Sequence, residues 1–271
     1  MLTCLHLDLT RKRANIYQAG KEIQIFLKTK NSALFTSTPK TRLFMERNLI
    51  LTFEIMPIIK TQEDMAGKVA GMLLQIEAIK LNTEKPFMWS SGWKSPIYCD
   101  NRLSLSYPQI RNSIRDGLVS AIRENFSTVE SIAGVATAGI AQGALVAQAL
   151  DLPFLYVRPK PKDHGMENLI EGKVIKKQRV VLVEDLVSTG GSSLKAAQAL
   201  REAGLEILGM VSIFNYGFDV ATRNFQDANT SLISLCDYSS LIKYALEQQY
   251  ISEQQVTSLK AWRVDPASWK K

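Results

Sequence analysis

The chain has 271 residues, 46% of them hydrophobic and 22% charged, enough for one sizeable core with additions but short for two full domains. No apolar run reaches the roughly 18 residues of a membrane-spanning helix, and no charged segment followed by an apolar stretch indicates a secretory signal. The three cysteines, Cys4, Cys99 and Cys236, give neither a disulfide framework nor a zinc-binding spacing. We therefore expect a cytoplasmic protein without a membrane partner.

The net charge of +7 is concentrated at the beginning of the chain. Residues 1–55 contain nine Lys or Arg and four Asp or Glu, so this segment carries +5 and the other 216 residues carry +2. A nucleic-acid-binding domain would carry its basic excess on a folded face, beside aromatic side chains. We therefore expect no nucleic-acid partner.

Residues 1–55 give the weakest signals in the sequence, although the apolar runs 23–27 and 49–53 could be short strands. We interpret them as a poorly ordered or non-native extension before a domain of residues 56–271, with Met56 as an alternative beginning, because disorder concentrates at termini. Two alternatives stay open. One is a basic targeting peptide, which the four acidic residues weaken, and the other is a docking segment specific to this protein.

Helical signals begin after residue 60. Thr61, followed three positions later by Asp64, is typical of a helix N-terminus. Apolar residues then recur at the spacing of one helical face, at Val69, Met72, Leu73, Ile76 and Ile79. A polar stretch rich in Gly and Pro follows, and Pro108 opens a second helix.

Beyond residue 130, short apolar runs alternate with helical segments. The runs lie at residues 132–136, 154–157, 180–183, 207–214 and 232–235. A helix is predicted at 140–150 and another at 192–203, where Gly204 supplies a natural C-terminal cap. This alternation predicts an α/β fold with a mainly parallel five-stranded sheet flanked by helices, with its core at about 130–240 and a closing helical segment at 241–271.

The segment 180–192 has the pattern of a ligand site. Its first four residues are β-branched or leucine, as in a strand buried on both faces, and they lead to Glu184 and Asp185, which we call the acid pair. Small residues and then a helix follow. In open α/β sheets, ligands bind at the carboxyl ends of strands, and backbone N–H groups at a helix N-terminus bind phosphate. The acids can accept hydrogen bonds from ribose hydroxyls or help to place a metal, so the pattern favours a phosphorylated sugar over an ordinary strand end.

This segment closely resembles the motif of type I phosphoribosyltransferases that binds phosphoribosyl pyrophosphate (PRPP). In that family two acids cap a strand and a Thr/Ser-Gly loop holds the 5′-phosphate. The resemblance implies the type I phosphoribosyltransferase fold with a small N-terminal hood at about residues 60–110. It implies that Asp185 is catalytic and that PRPP contacts Glu184, Asp185, Leu186, Val187, Ser188, Thr189, Gly190, Gly191 and Ser192.

Two further segments resemble orotate phosphoribosyltransferases in particular. Residues 90–102, here called the hood motif, resemble the Ser-Gly-x-x-Ser-Pro-x-Tyr segment that covers the pyrimidine. Residues 158–165, here called the basic loop, resemble a mobile loop that reaches into the neighbouring subunit. The resemblance implies that Arg158, Lys162 and His164 bind PRPP and pyrophosphate, with Lys162 catalytic, and that Ser188 contacts orotate. The alternatives are an ordinary turn region and a solvated basic loop.

The resemblance implies pentosyl transfer from PRPP to orotate in pyrimidine biosynthesis, with Mg²⁺ held mainly by PRPP and a homodimer as the working unit. Cations that arrive with loop closure would stabilise the leaving pyrophosphate. Two alternatives are a phosphoribosyltransferase for another base and a PRPP-sensing regulator without catalysis. The sequence departs from one branch of the family at four places, namely Ser90, Pro159, Thr137-Ala138 and Tyr216, the last where an orotate-binding Arg is expected.

Overall fold

The computed structural model describes residues 4–9, 12–19, 22–28, 59–89, 92–160 and 169–270. The chain divides into two compact units, Met1–Ile55 and Met56–Lys271. In the first unit, β1 (Cys4–Leu9), β2 (Lys12–Ala19) and β3 (Glu22–Lys28) form an antiparallel sheet in that order. The run 23–27 is therefore a strand, the run 49–53 lies outside the described residues, and the interpretation of this segment as an extension stays a prediction.

The second unit contains short hairpin strands, a large sheet and helices. Its strands are β4 (Ile59–Thr61), β5 (Ile79–Leu81), β6 (Phe87–Met88), β7 (Lys94–Ser95), β8 (Ile97–Cys99), β9 (Ser131–Val135), β10 (Phe154–Val157), β11 (Ile170–Glu171), β12 (Arg179–Val187), β13 (Glu206–Asn215) and β14 (Leu232–Asp237). Its helices are α1 (Glu63–Gln75), α2 (Pro108–Asn125), α3 (Gly139–Leu150), α4 (Gly191–Glu202), α5 (Asp219–Asp227), α6 (Tyr238–Glu247) and α7 (Glu253–Val264), with a 3₁₀ helix at Asn101–Ser106. Within the described ranges, no helix is both long and apolar enough to cross a membrane.

The large sheet has the strand order β11-β10-β9-β12-β13-β14-β4. All five predicted strands are present and parallel, which confirms the predicted mainly parallel α/β sheet. Two edge strands that were not predicted, β4 and the antiparallel β11, extend it to seven. These have three and two residues, too few to show a hydrophobic period in the sequence.

The sheet is buried on both faces because helices cover each side. Successive residues of β12 alternate between two apolar clusters, as the pleat of a strand requires. Val181 and Val183 pack in the cluster that contains α1 and α2, whereas Val180 and Leu182 pack in the cluster that contains α4. The unbroken apolar run in the sequence therefore reflects a strand with core on either side.

Several helix ends differ from the predictions. Gln62, not Thr61, precedes α1, because the Thr61 hydroxyl donates to Asp237 at 2.5 Å. Helix α1 ends at Gln75, so Ile79 lies in β5 and not on the helical face. Pro108 opens α2 as predicted, and Gly204 follows α4 at a φ of +89°. The predicted closing helical segment at 241–271 consists of two helices, since α6 already begins at Tyr238 and α7 follows it.

Candidate active site

Strand β12 brings the acid pair to the carboxyl edge of the sheet. The strand runs on to Val187, two residues beyond the acids, because Leu186 and Val187 still pair with Phe214 and Asn215 of β13. The prediction that the loop starts directly after the acids is therefore wrong. The turn that precedes α4 is limited to residues 188–190, and Val187 is buried in the core with 1% of its surface exposed.

Glu184 is fixed against the beginning of α4. Its carboxylate accepts a hydrogen bond from the Ser193 hydroxyl at 2.8 Å and another from the Asp185 N–H at 3.0 Å. Burial, and next the charge of Asp185, raise the pKa of Glu184 well above its ordinary value. The side chain is therefore an anchored group that is readily protonated.

Asp185 is the more accessible acid, and it joins the sheet to the hood. Its backbone carbonyl accepts a hydrogen bond from the Asn101 side-chain amide at 2.7 Å, across 84 positions of sequence. Burial raises the pKa of its carboxyl group, and the positive charge of Arg102 opposes that rise. A carboxylate of this kind can accept a hydrogen bond from a sugar hydroxyl.

The turn before α4 depends on a glycine. Gly190 has a φ of +80°, and a Cβ atom there would lie 2.7 Å from the Phe225 ring. Asn224 holds the turn by donating to the Thr189 carbonyl at 2.8 Å. The 12-residue helix α4 then starts at the exposed Gly191, so its first N–H groups and the positive end of its dipole point to the same edge as the acid pair.

A cavity of about 350 Å³, here called the acid-pair cavity, opens beside these elements. It is lined by Cys99, Asp100, Arg102, Ala136, Thr137, Ala138, Glu184, Asp185, Leu186 and Ser192. Four of the predicted site residues therefore meet here, while residues 187–191 do not line the cavity. The hood motif, which the resemblance places over the pyrimidine, contributes Cys99, Asp100 and Arg102, although the sequence prediction assigned no role to these three residues or to the residues after β9. The order of the strands could have indicated the latter, since β9 is the neighbour of β12.

The basic loop is described only in part. Arg158 follows β10 and forms an ion pair with Glu171 at 3.6 Å, and its N–H donates to the Leu169 carbonyl at 2.8 Å. Arg158 does not line the acid-pair cavity. Lys162 and His164 lie outside the described residues, so their predicted roles stay predictions.

A second cavity, of about 470 Å³, lies between β11 and the end of α4. Its lining is Leu169, Ile170, Gly172, Val174, Ala199, Glu202 and Ala203. It holds neither an acid pair nor a turn at a helix N-terminus. The chemistry that the sequence predicts is therefore concentrated in the smaller, acid-pair cavity.

The hood motif is fixed by contacts with distant parts of the chain. The indole N–H of Trp262 in α7 donates to the Lys94 carbonyl at 3.2 Å. Trp89 packs edge-on against Trp262, with ring centres 5.4 Å apart. Tyr216 contacts both indoles, with ring centres 5.1 Å from Trp89 and 5.9 Å from Trp262. It is 2% exposed, and burial raises its pKa well above the ordinary value. Tyr216 is therefore part of an aromatic core behind the hood motif.

The carboxylates in the acid-pair cavity fit a metal ion that is coordinated mainly by a bound substrate and only to a small extent by the protein. Among the described residues, no group of three or more His, Cys, Asp or Glu side chains is placed to bind a metal ion. Glu184 already accepts one hydrogen bond on each oxygen and Asp100 pairs with Arg102, so Asp185, the less buried of the acid pair, is the carboxylate best placed to offer an oxygen to a metal ion. Mg²⁺ prefers such sites, with few protein ligands and several oxygens from phosphate and water.

Comparisons with known proteins agree on one family. The family model for the phosphoribosyl transferase domain matches residues 106–237. The chain is 59% identical over 204 residues to the orotate phosphoribosyltransferase of Cytophaga hutchinsonii, covering 75% of this chain and 98% of the relative. It is 55% identical to that of Porphyromonas gingivalis, covering 74% and 96%. The crystal structure of orotate phosphoribosyltransferase from Aeropyrum pernix has a TM-score of 0.60 at 27% identity, covering 68% of this chain and 99% of that one.

Proposed function

The chain belongs to the orotate phosphoribosyltransferase family, and from this membership we propose how its residues carry out the reaction. The enzyme is a pentosyltransferase that joins orotate to the ribose of PRPP, giving orotidine 5′-phosphate and pyrophosphate. This reaction is a step in pyrimidine (UMP) biosynthesis. The observation that supports our assignment of residues is the meeting of the acid pair, the start of α4 and the hood motif around one cavity.

We assign the ribose phosphate of PRPP to the edge formed by β12 and α4. The 5′-phosphate lies against residues 188–192, where small side chains let backbone N–H groups approach and the helix dipole favours an anion. The two hydroxyls of the ribose ring donate to Glu184 and Asp185. Val187, whose side chain is buried, can contribute only its backbone.

Orotate enters between the hood motif and the acid pair, with Ser188 as a contact. The reaction is a displacement at the anomeric carbon, with inversion. A ring nitrogen of orotate forms a bond to that carbon while the bond to the pyrophosphate oxygen breaks, and the bonding electrons leave with the pyrophosphate. Because this ring nitrogen is acidic, it loses its proton to water before the bond forms, so the site needs no strong general base and acts by positioning and charge stabilisation.

The basic loop supplies positive charge for the leaving group. In this proposal Lys162 is the catalytic cation, and Arg158 and His164 also contact the diphosphate. Arg158 can serve after exchanging its ion pair with Glu171, which at 3.6 Å is a loose contact. If the loop acts across subunits, the working unit is a homodimer. We place this enzyme in the cytoplasm.

Mg²⁺ is the proposed cofactor and is held mainly by oxygens of PRPP. Asp185 is the described residue that offers it a further oxygen. When bound, the ion neutralises negative charge on the diphosphate.

In the direct test, the purified protein is mixed with PRPP, Mg²⁺ and orotate, and turnover is measured as the loss of orotate absorbance. We expect turnover with orotate and none with adenine, hypoxanthine or uracil. Lys162→Ala is expected to lose most turnover, whereas Lys160→Ala, an exposed lysine of the same segment, serves as the matched control. Turnover of a purine while orotate is inert would refute the assignment, and tight PRPP binding without turnover of any base would indicate a sensor.

A further inference from the structure

The acid-pair cavity contains acidic side chains that would repel an anionic base. Its lining contains three acidic residues, Asp100, Glu184 and Asp185. Orotate carries a carboxylate, and like charges at short range repel each other. Among the described residues that line the cavity, Arg102 is the one cation. The position of its guanidinium group therefore decides where an anion can be accommodated.

Arg102 is held in a defined orientation by its neighbour. Its Nε and Nη2 atoms donate to the two carboxylate oxygens of Asp100 at 2.7 and 2.9 Å. This paired contact keeps the Asp100 carboxylate ionised and lowers its pKa below the ordinary value. The Arg102 side chain is nevertheless 61% exposed, so one side of its planar group is bound and the other remains accessible.

The backbone beside Arg102 is also fixed. Asn101 is 1% exposed, and its side-chain amide donates to the backbone carbonyl of Asp185. The Ser104 hydroxyl donates to the Asn101 carbonyl at 2.6 Å and closes the first turn of the 3₁₀ helix. The backbone at Arg102 is thus attached through Asn101 to the strand that carries the acid pair, while the guanidinium group is oriented by Asp100.

A second observation concerns Tyr216, a buried and uncharged residue at the carboxyl edge of the sheet. Tyr216 follows β13, and its ring stacks on Phe218 and contacts Trp89 with ring centres 5.6 and 5.1 Å apart. A buried neutral ring in an aromatic core cannot bind a carboxylate as an arginine does. The anion contact at this end of the sheet must therefore come from another residue.

We propose that Arg102 binds the carboxylate of orotate and makes the enzyme prefer orotate to pyrimidines that lack this group. This inference rests on the proposed function, because it assumes that orotate occupies the acid-pair cavity. The guanidinium plane, held on one side by Asp100, offers its other N–H groups to the planar carboxylate. Arg102 is then a specificity-determining residue contributed by the hood motif.

The diphosphate of PRPP is the other anion that Arg102 could contact, and the geometry favours orotate. Arg158, the first residue of the basic loop, follows β10, which lies on the β9 side of β12. The hood lies towards the opposite side, since Trp89 contacts Tyr216 beyond the end of β13. The two groups of cations therefore approach the acid pair from opposite directions, one for each anion.

The test compares Arg102→Gln and Arg102→Lys with the wild-type enzyme in steady-state assays that vary one substrate at a time. We expect Arg102→Gln to raise the KM for orotate about 10- to 100-fold, the range for one lost charge-assisted contact. The KM for PRPP should change by less than about twofold. The KM of Arg102→Lys for orotate should lie between those of the wild-type enzyme and Arg102→Gln, because lysine keeps the positive charge but lacks the planar guanidinium group. Inhibition by uracil, which has no carboxylate, should be the same for all three proteins.

Arg179→Gln is the matched control, since Arg179 also pairs with a carboxylate, that of Glu130 at 2.8 Å, but at the opposite end of β12. A raised KM for PRPP with unchanged orotate kinetics would overturn the proposal in favour of a diphosphate contact. An equal loss of affinity for orotate and for uracil would also overturn the proposal, because it would assign Arg102 to positioning the hood. If the wild-type protein fails to use orotate, the proposed function itself fails, whatever the variants do.

Discussion

The two sides of the acid-pair cavity are stabilised in different ways. The side formed by β12 and α4 depends on residues close together in sequence, such as Glu184 and Ser193, nine positions apart. The hood side depends on contacts between distant segments, such as Lys94 with Trp262 and Asn101 with Asp185. Both motifs can be recognised in the sequence, but the contacts that position the hood motif become visible only in the folded chain.

The difference has a functional counterpart. A phosphate site built from backbone N–H groups and a helix end tolerates few changes, because any bulk at the turn obstructs the ligand. A base site held by distant side chains can change its contacts one residue at a time.

The largest effect is expected from Asp185→Asn on the sugar-phosphate side. Loss of the carboxylate charge removes the accessible hydrogen-bond acceptor for the ribose, and we expect kcat/KM for PRPP to fall about 10²- to 10³-fold. The backbone contact with Asn101 does not involve the side chain and should persist. Steady-state kinetics give the result, with the exposed Asp227→Asn as the matched control. Wild-type kinetics in Asp185→Asn would contradict the assignment.

Gly190→Ala tests whether the turn before α4 requires glycine. A positive φ costs an alanine about 1–2 kcal/mol, and the added methyl group would press on the Phe225 ring, so we expect a loss of about 2–4 kcal/mol in unfolding free energy. Gly191→Ala is the matched control, because its Cβ would meet Thr189 only at 3.7 Å. Denaturant unfolding measures both. Equal losses in the two variants would show that the turn has no special requirement.

Trp262→Phe tests the long-range support of the hood. The change removes the hydrogen bond to the Lys94 carbonyl and some ring volume, for an expected loss of about 1–2 kcal/mol. The hood motif should then be less well held, so the KM for orotate should rise by up to about tenfold while that for PRPP stays constant. The control is Trp269→Phe, a partly buried tryptophan beyond α7. A rise in both KM values would show that the two sides are not independent.

Glu184→Gln is expected to have the smallest effect and to depend on pH. Because the folded pKa of Glu184 is raised above its ordinary value of 4.5, the wild-type chain loses stability as the pH rises from there through the folded pKa. Glutamine does not titrate, and its Oε1 can accept from the Asp185 N–H while its Nε2 donates to the Ser193 hydroxyl, so the variant should be more stable by about 1 kcal/mol at neutral pH. Melting temperatures measured from pH 4.5 to 8 should show an advantage that shrinks towards the acid end. A constant difference would mean that burial of the charge is not its cause.

The core strands could be predicted because each carries its own signal. The run 180–183 is β-branched or leucine throughout and is buried on both faces, and Gly204 ends a helix where its sequence position suggested. The acid pair and the small residues that follow it also form a continuous pattern in the sequence, so they could be recognised there. Even here the end of β12 was misplaced, because pairing with β13 extends the strand through residues that alone resemble a loop.

The remaining errors come from contacts that no local pattern records. Thr61 looks like a helix cap, but its hydroxyl is taken by Asp237, 176 positions away. The roles of Asn101 and Arg102 depend on where the hood meets β12. The burial of Tyr216 depends on aromatic partners from the hood and from α7.

The edge-on contact of Trp89 and Trp262 has a practical consequence. These two indoles lie behind the hood motif, and each donates its N–H to a backbone carbonyl of that motif, at Ile97 and Lys94. We therefore expect their ultraviolet emission to change when this part of the molecule is displaced. The protein contains its own optical probe, with which orotate titrations can be followed without an attached dye.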